Sequence, residues 1–286
     1  MFSGDGRRHG RKDSGMRSTL GCWTVIFGLT ALVVGCAHLD GRAVDDDAVY
    51  NAIQQDDVAE LRRLVESRAL TVNQSLSVPG YREGTPLITV AARSAALGVL
   101  RYLIAAGADV NARTPVKETA LMLAAFFYSE DRLHNAVSRA RHDEAVRILL
   151  ASGAALENDA YNYTPLSYAA YQGHDTAVRL LLARGARVDA DAQNGETYIN
   201  TPLMMAAMQG HVSTVLELLR AGANPAIRVH GGHTAAELAA KYQHGDVAHL
   251  LQCAQHRVQK DFAHRCGGKL TSGRGAMPAT IEVPAR

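Results

Sequence analysis

Between residues 46 and 254 the apolar positions follow two patterns that take turns along the chain. The first is a short block such as Thr164-Pro165-Leu166-Ser167-Tyr168-Ala169-Ala170-Tyr171-Gln172-Gly173-His174. A threonine hydroxyl caps free amides, and a proline after it is pre-set for the first helical turn, so the block predicts a helix opened at Thr164 and ended at Gly173. The second pattern is Ala177, Val178, Leu181 and Leu182, an apolar stripe at helical spacing that closes at Gly185. Ala169-Ala170 leaves a helix face small enough for a neighbour to lie close against it. Two short helices and a loop cannot bury that much apolar surface alone, so copies of the unit must stack.

Copies open at Thr85-Pro86-Leu87, Thr119-Ala120-Leu121, Thr164-Pro165-Leu166, Thr201-Pro202-Leu203 and Thr234-Ala235-Ala236, with starts 34, 45, 37 and 33 residues apart. The closing Gly-Ala recurs at Gly107-Ala108, Gly153-Ala154, Gly185-Ala186 and Gly222-Ala223. In period and motif this resembles the ankyrin repeat. The resemblance implies an all-α solenoid of stacked helix-turn-helix units with protruding β-turn or hairpin loops, over residues 46–254. Val49 to Asn73 reads as an atypical capping repeat. One departure is systematic. The family usually places histidine after Thr-Pro-Leu, where it ties adjacent loops, but Ile88, Met122, Ser167, Met204 and Glu237 stand there. A weaker polar tie between repeats is the expectation.

Residues 1–35 lie outside this pattern. Arg7, Arg8, Arg11, Lys12 and Arg17 precede an apolar run from Cys22 to Val34, the three-part form of a secretory signal. Val33-Val34-Gly35-Cys36 resembles a bacterial lipobox, which implies that Cys36 is lipidated and becomes the first residue of the mature chain. Met16 offers a second start that still leaves a signal of ordinary length. An uncleaved membrane anchor is the alternative, although the apolar run is short for a span. Ala37 follows the cysteine, and in sorted Gram-negative lipoproteins the absence of aspartate there favours the outer membrane, with the domain facing the periplasm. Residues 36–45 form a short linker, and 255–286 read as an irregular tail in which Thr280-Ile281-Glu282-Val283 could pair as a strand.

Charge changes sign once the signal is set aside. The chain holds 30 Lys/Arg against 28 Asp/Glu. Five basic and two acidic groups fall within residues 1–35, which leaves 25 basic and 26 acidic. Nothing in that balance suggests a nucleic-acid partner. Of four cysteines, Cys22 lies in the signal and Cys36 is the lipidation candidate. Cys253 and Cys266 remain, and an exported address permits a disulfide between them.

By the ankyrin resemblance, the loop tips and the two residues after each Ala-Ala line the concave binding face. Seven of the ten tyrosines fall at such places: 81, 128, 161, 163, 171, 198 and 242. The candidate partner-binding residues are Tyr81, Arg82, Phe126, Phe127, Tyr161, Tyr163, Tyr171, Tyr198, Met208 and Tyr242. Tyrosine offers rigid amphipathic contact area of the kind that dominates binding hot spots. Tyr168 reads as core. Repeat 2 is lengthened by about thirteen residues, and 126–141 reads as an elongated or extra helix starting near Ser129-Glu130-Asp131-Arg132. Asn194-Gly195 suggests a tight hairpin in the loop before the fourth repeat.

Chemistry finds little support. There is no Gly-x-Ser-x-Gly elbow, no His-Glu-x-x-His and no phosphate-cradling Gly-rich loop. His249, Cys253 and His256 share a helical face near His230 and His233, which could hold zinc. A Cys253 disulfide would remove one ligand, and His142, His174 and His211 occupy the family's structural Gly-His position or its equivalent. The reading is a monomeric, non-catalytic protein-binding module without a cofactor, anchored to the membrane by lipid. Its role is either to tether a periplasmic or envelope protein or to block a toxin or secreted enzyme as an immunity protein. A metal-binding or redox module at the carboxy-terminal His/Cys cluster is the rival from a different class.

Overall fold

The structure is a computed structural model that describes residues 45–77, 84–126, 135–157, 163–190, 201–228 and 232–255. Helices α1 (Asp46–Gln54) and α2 (Val58–Glu66) form the first pair. Strands β1 (Ser75–Leu76) and β2 (Thr85–Pro86) make a short antiparallel ladder in which Leu76 faces Thr85. Five further pairs follow: α3 (Leu87–Arg93) with α4 (Leu97–Ala105), α5 (Ala120–Ala125) with α6 (Asn135–Ala151), α7 (Pro165–Gln172) with α8 (Asp175–Ala183), α9 (Pro202–Met208) with α10 (Val212–Arg220), and α11 (Ala235–Lys241) with α12 (Gly245–Gln255). First helices pack on first helices in chain order, and second helices on second helices. The all-α stack expected from the repeat is present.

Threonine caps four of the five first helices as expected. Thr119, Thr164, Thr201 and Thr234 each accept the amide three residues on, from Met122, Ser167, Met204 and Glu237. Thr85 does not. Thr85-Pro86 is drawn into the ladder with β1, whose Leu76 is fully buried, and α3 starts one residue later at Leu87 with no side-chain cap. Inside the stack, Ala91-Ala92, Ala124-Ala125, Ala169-Ala170 and Ala206-Ala207 are all buried. Small side chains there let adjacent first helices approach, while Val99, Leu103, Leu149, Val178, Leu181, Val215 and Leu218 fill the space between the two rows.

Polar ties between repeats are more numerous than the sequence suggested. Ile88, Met122, Ser167 and Met204 are indeed buried without reaching another repeat's loop through an imidazole. A different histidine row makes the tie. His142 Nε2 lies 3.1 Å from the Arg93 carbonyl, His174 Nδ1 lies 3.2 Å from that of Ala125, and His211 Nε2 lies 3.0 Å from that of Tyr171. Each imidazole thus reaches back to the end of the first helix one repeat earlier. A second row runs through the loops. Asn73 accepts the amide of Asp109, Asn111 that of Ala155, Glu157 that of Arg187 and Asp189 that of Asn224. The expectation of a weaker polar tie is corrected for the three steps from repeat 1 to repeat 4, each of which is crossed by one histidine and one loop side chain.

The insertion in repeat 2 lengthens its second helix. Helix α6 has 17 residues, against nine in α4, α8 and α10. Ser129 to Arg132, expected as its start, lies outside the described residues. Val137 and Ala140 are exposed, Val137 by 72%. Arg141 anchors the extension: its Nε donates to the Ala95 carbonyl and its Nη2 to Asp56. Asp56 in turn accepts the amides of Gly98 and Val99, so a residue of the first pair caps α4, whose own N-cap residue Ala96 has no polar side chain.

Two of the tying histidines carry a pH dependence. Burial holds His142 and His211 below the ordinary histidine value of 6.5, against the opposing pull of the carbonyls they face. Asp143 and His174 lie near His142, and Asp175, His244 and Arg139 near His211. A folded pKa below the unfolded one means that the unfolded chain binds more protons under acid conditions, so stability is full above 6.5 and declines as pH falls below it. Urea midpoints measured at pH 7.5, 6.5 and 5.5 should fall in that order. A midpoint that rose on acidification would contradict the assignment.

Candidate protein-binding site

The carboxy-terminal ends of the first helices and the loops before them enclose a cleft of ≈ 280 Å³, lined by Arg93, Glu118, Leu123, Phe126, Tyr163, Tyr168, Tyr171 and Met205. Four consecutive repeats contribute. Arg93 ends α3, Glu118 precedes α5, Leu123 and Phe126 belong to α5 and its exit, Tyr163 precedes α7, Tyr168 and Tyr171 lie on α7, and Met205 lies on α9. The stacking of first helices therefore builds the cleft, and no single repeat owns it.

Its aromatic rings pack on one another. Phe126 meets Tyr168 edge to face at 5.7 Å between centroids and stacks on Tyr171 at 6.3 Å, with 12° between the planes. Tyr163 meets Tyr168 edge to face at 6.4 Å. Such pairs contribute roughly 0.5–1.5 kcal/mol beyond area burial, which keeps the rings ordered. The Tyr168 hydroxyl donates to Glu118 Oε1 at 2.9 Å. Burial first, and then the nearby Glu118 carboxylate, push the Tyr168 phenol up from its ordinary value, so it stays protonated and remains a donor.

Of the sequence candidates, Phe126, Tyr163 and Tyr171 come together in this cleft. Met208 is half-buried and packed against the core outside the lining, and Tyr242 is 46% exposed at the end of α11, also outside it. Tyr81, Arg82, Phe127, Tyr161 and Tyr198 lie outside the described residues, as do Cys36, Cys266, His230, His256 and the Asn194-Gly195 turn. Tyr168 packs against the core as read, but its ring is only half-buried and also lines the cleft, with its hydroxyl turned to Glu118. Its place three residues before Tyr171 was the available signal, because residues i and i+3 share a helix face. Glu118 and Met205 were missed, and nothing local marks them: one precedes a cap and the other follows the buried Met204.

At the carboxy-terminal end, Cys253 is disulfide-bonded, and its expected partner Cys266 lies outside the described residues. His249 is exposed on the same helix. Among the described residues no three His, Cys, Asp or Glu side chains converge as a metal site would need, and no helix is long and apolar enough to cross a membrane.

Three family models match the chain. Residues 84–115 match one described as ankyrin repeat, 128–192 one described as ankyrin repeats (3 copies), and 166–220 one described as ankyrin repeats (many copies). The chain carries ankyrin repeats. None of the curated proteins compared with it matches. Ankyrin-repeat stacks are in general non-catalytic, and the repeats mark this chain as a protein-interaction module. The matched segments carry three of the four helix ends that surround the cleft, so the cleft is assembled from the repeats themselves. Family membership alone leaves the partner open, because one fold serves many sites.

Proposed function

We propose that this ankyrin-repeat protein is held in the bacterial envelope by lipid on Cys36, in the outer membrane with the stack facing the periplasm, and binds a periplasmic or envelope protein through the aromatic cleft. The observation that carries the binding part is the convergence of Phe126, Tyr163, Tyr168 and Tyr171, from two successive repeat units, on one accessible depression. Clustered aromatics left accessible on a folded surface are characteristic of partner sites. The basic stretch, apolar run and Val33-Val34-Gly35-Cys36 support the anchor.

One experiment on the intact protein tests both parts. Envelope membranes carrying the tagged full chain are crosslinked, and the captured protein is identified and quantified by mass spectrometry. Changing Tyr163 and Tyr171 together to alanine should reduce capture about 30-fold or more, from roughly 1 kcal/mol for each hot-spot ring. Cys36→Ser should abolish incorporation of labelled palmitate and move the protein out of the membrane fraction. Undiminished capture by the double variant would remove the cleft from the proposal, and undiminished labelling of the Cys36 variant would remove the anchor.

A further inference from the structure

Glu118 stands out among the cleft residues, because it is the carboxylate in a lining that also holds Phe126, Tyr163, Tyr168 and Tyr171. Its Oε1 accepts the Tyr168 hydroxyl, and its backbone is held by Thr114. Among the described residues it forms no ion pair. Arg93 also lines the cleft, but it makes no ion pair with Glu118. Aromatic faces carry partial negative charge, so Phe126, Tyr163 and Tyr171 add to the field of the carboxylate rather than balancing it. A partner group that closes the cleft will strip water from that carboxylate, and an apolar or acidic group would leave it desolvated without a counter-charge.

We propose that the cleft takes a basic side chain of the partner protein, arginine in preference to lysine, with its cation against Glu118 and across the faces of Phe126, Tyr163 and Tyr171. This rests on the partner-binding reading of the cleft. A guanidinium is planar, stacks on rings and presents a fork to a carboxylate, whereas an ammonium offers only a compact, strongly hydrated point charge. The volume agrees: ≈ 280 Å³ lies below the usual range for drug-sized ligands and accommodates one long side chain with its neighbours.

The test uses the full chain in detergent, immobilised, and a random-peptide display library as probe. Selected peptides that compete with one another should carry arginine at one fixed position. Changing that arginine to alanine should weaken binding about 20-fold or more, and changing it to lysine by several-fold. Glu118→Gln keeps an oxygen to accept the Tyr168 hydroxyl and removes only the charge. It should weaken the arginine peptide about 10-fold, leave its leucine version unchanged, and flatten the salt dependence of binding. Peptides that bind the wild type but not the Tyr163/Tyr171 alanine variant, yet carry acidic or apolar residues at the fixed position, would overturn the arginine proposal and leave the cleft as a binding site. So would an arginine peptide indifferent to Glu118→Gln. Selected peptides that all bind the Tyr163/Tyr171 variant equally well would overturn both.

Discussion

Changing His174 to alanine should destabilise the stack by about 3 kcal/mol, the lower part of the range for removing one partner of a buried charged or hydrogen-bonded pair. The side chain is 1% exposed and uses both ring nitrogens. Nε2 lies 2.5 Å from Asp143 Oδ1, and Nδ1 faces the Ala125 carbonyl. Removing the ring strands a mostly buried carboxylate on α6, leaves the last carbonyl of α5 without its imidazole, and opens a cavity between repeats 2 and 3. The control is His233, which is 47% exposed and only 4.0 Å from Glu237 at its nearest. His233→Ala should shift stability by less than about 0.5 kcal/mol. Urea denaturation followed by far-UV circular dichroism measures both. A loss at His174 no larger than at His233 would show that the histidine row decorates the stack instead of tying it.

That contrast also shows what the chain revealed of itself. The threonine caps at 119, 164, 201 and 234 and the glycine end of α7 were legible, because each depends on residues within one turn of the helix. Thr85 carried the same local signal and was read in the same way, but the partner that overrides it, Leu76 on β1, lies nine residues earlier and is recognised only when the ladder forms. Helix α6 was anticipated as a longer element, yet its anchoring by Arg141 to Asp56 joins residues 85 apart, a separation beyond any periodicity. The site divided in the same manner. Phe126, Tyr163 and Tyr171 followed from comparing copies, since variable aromatics at equivalent positions stand out against a common framework. Glu118 entered only through Tyr168, fifty residues away in sequence and one repeat away in space. The row of histidines at 142, 174 and 211 was visible as a motif, but its partners are carbonyls, and backbone acceptors leave no mark on a sequence.

Gly173→Ala should cost about 3 kcal/mol in the wild-type stack and only about 1–2 kcal/mol in a His211→Ala background. Gly173 has φ +65°, and an alanine in the left-handed region pays roughly 1–2 kcal/mol whatever its surroundings. The remainder comes from the next repeat. A Cβ at this position would meet Cγ and Nδ1 of the His211 ring at 2.7 Å, closer than carbon atoms approach, so the ring has to shift and its 3.0 Å contact with the Tyr171 carbonyl is lost. Without the ring only the backbone term is left. The coupling of about 1–2 kcal/mol is thus a direct measure of how tightly repeat 4 is seated on repeat 3. Gln243 shows the backbone term in isolation: it occupies the equivalent place in the last repeat with φ +66°, and no described repeat follows to bring a ring against its Cβ. Additive costs at 173 and 211 would mean that ring and helix end do not meet in solution. Since the carbonyl that His211 holds belongs to Tyr171, the same double-mutant cycle read by partner capture should show a larger loss for Gly173→Ala than an equally destabilising change in α12, because only the former moves a ring of the cleft.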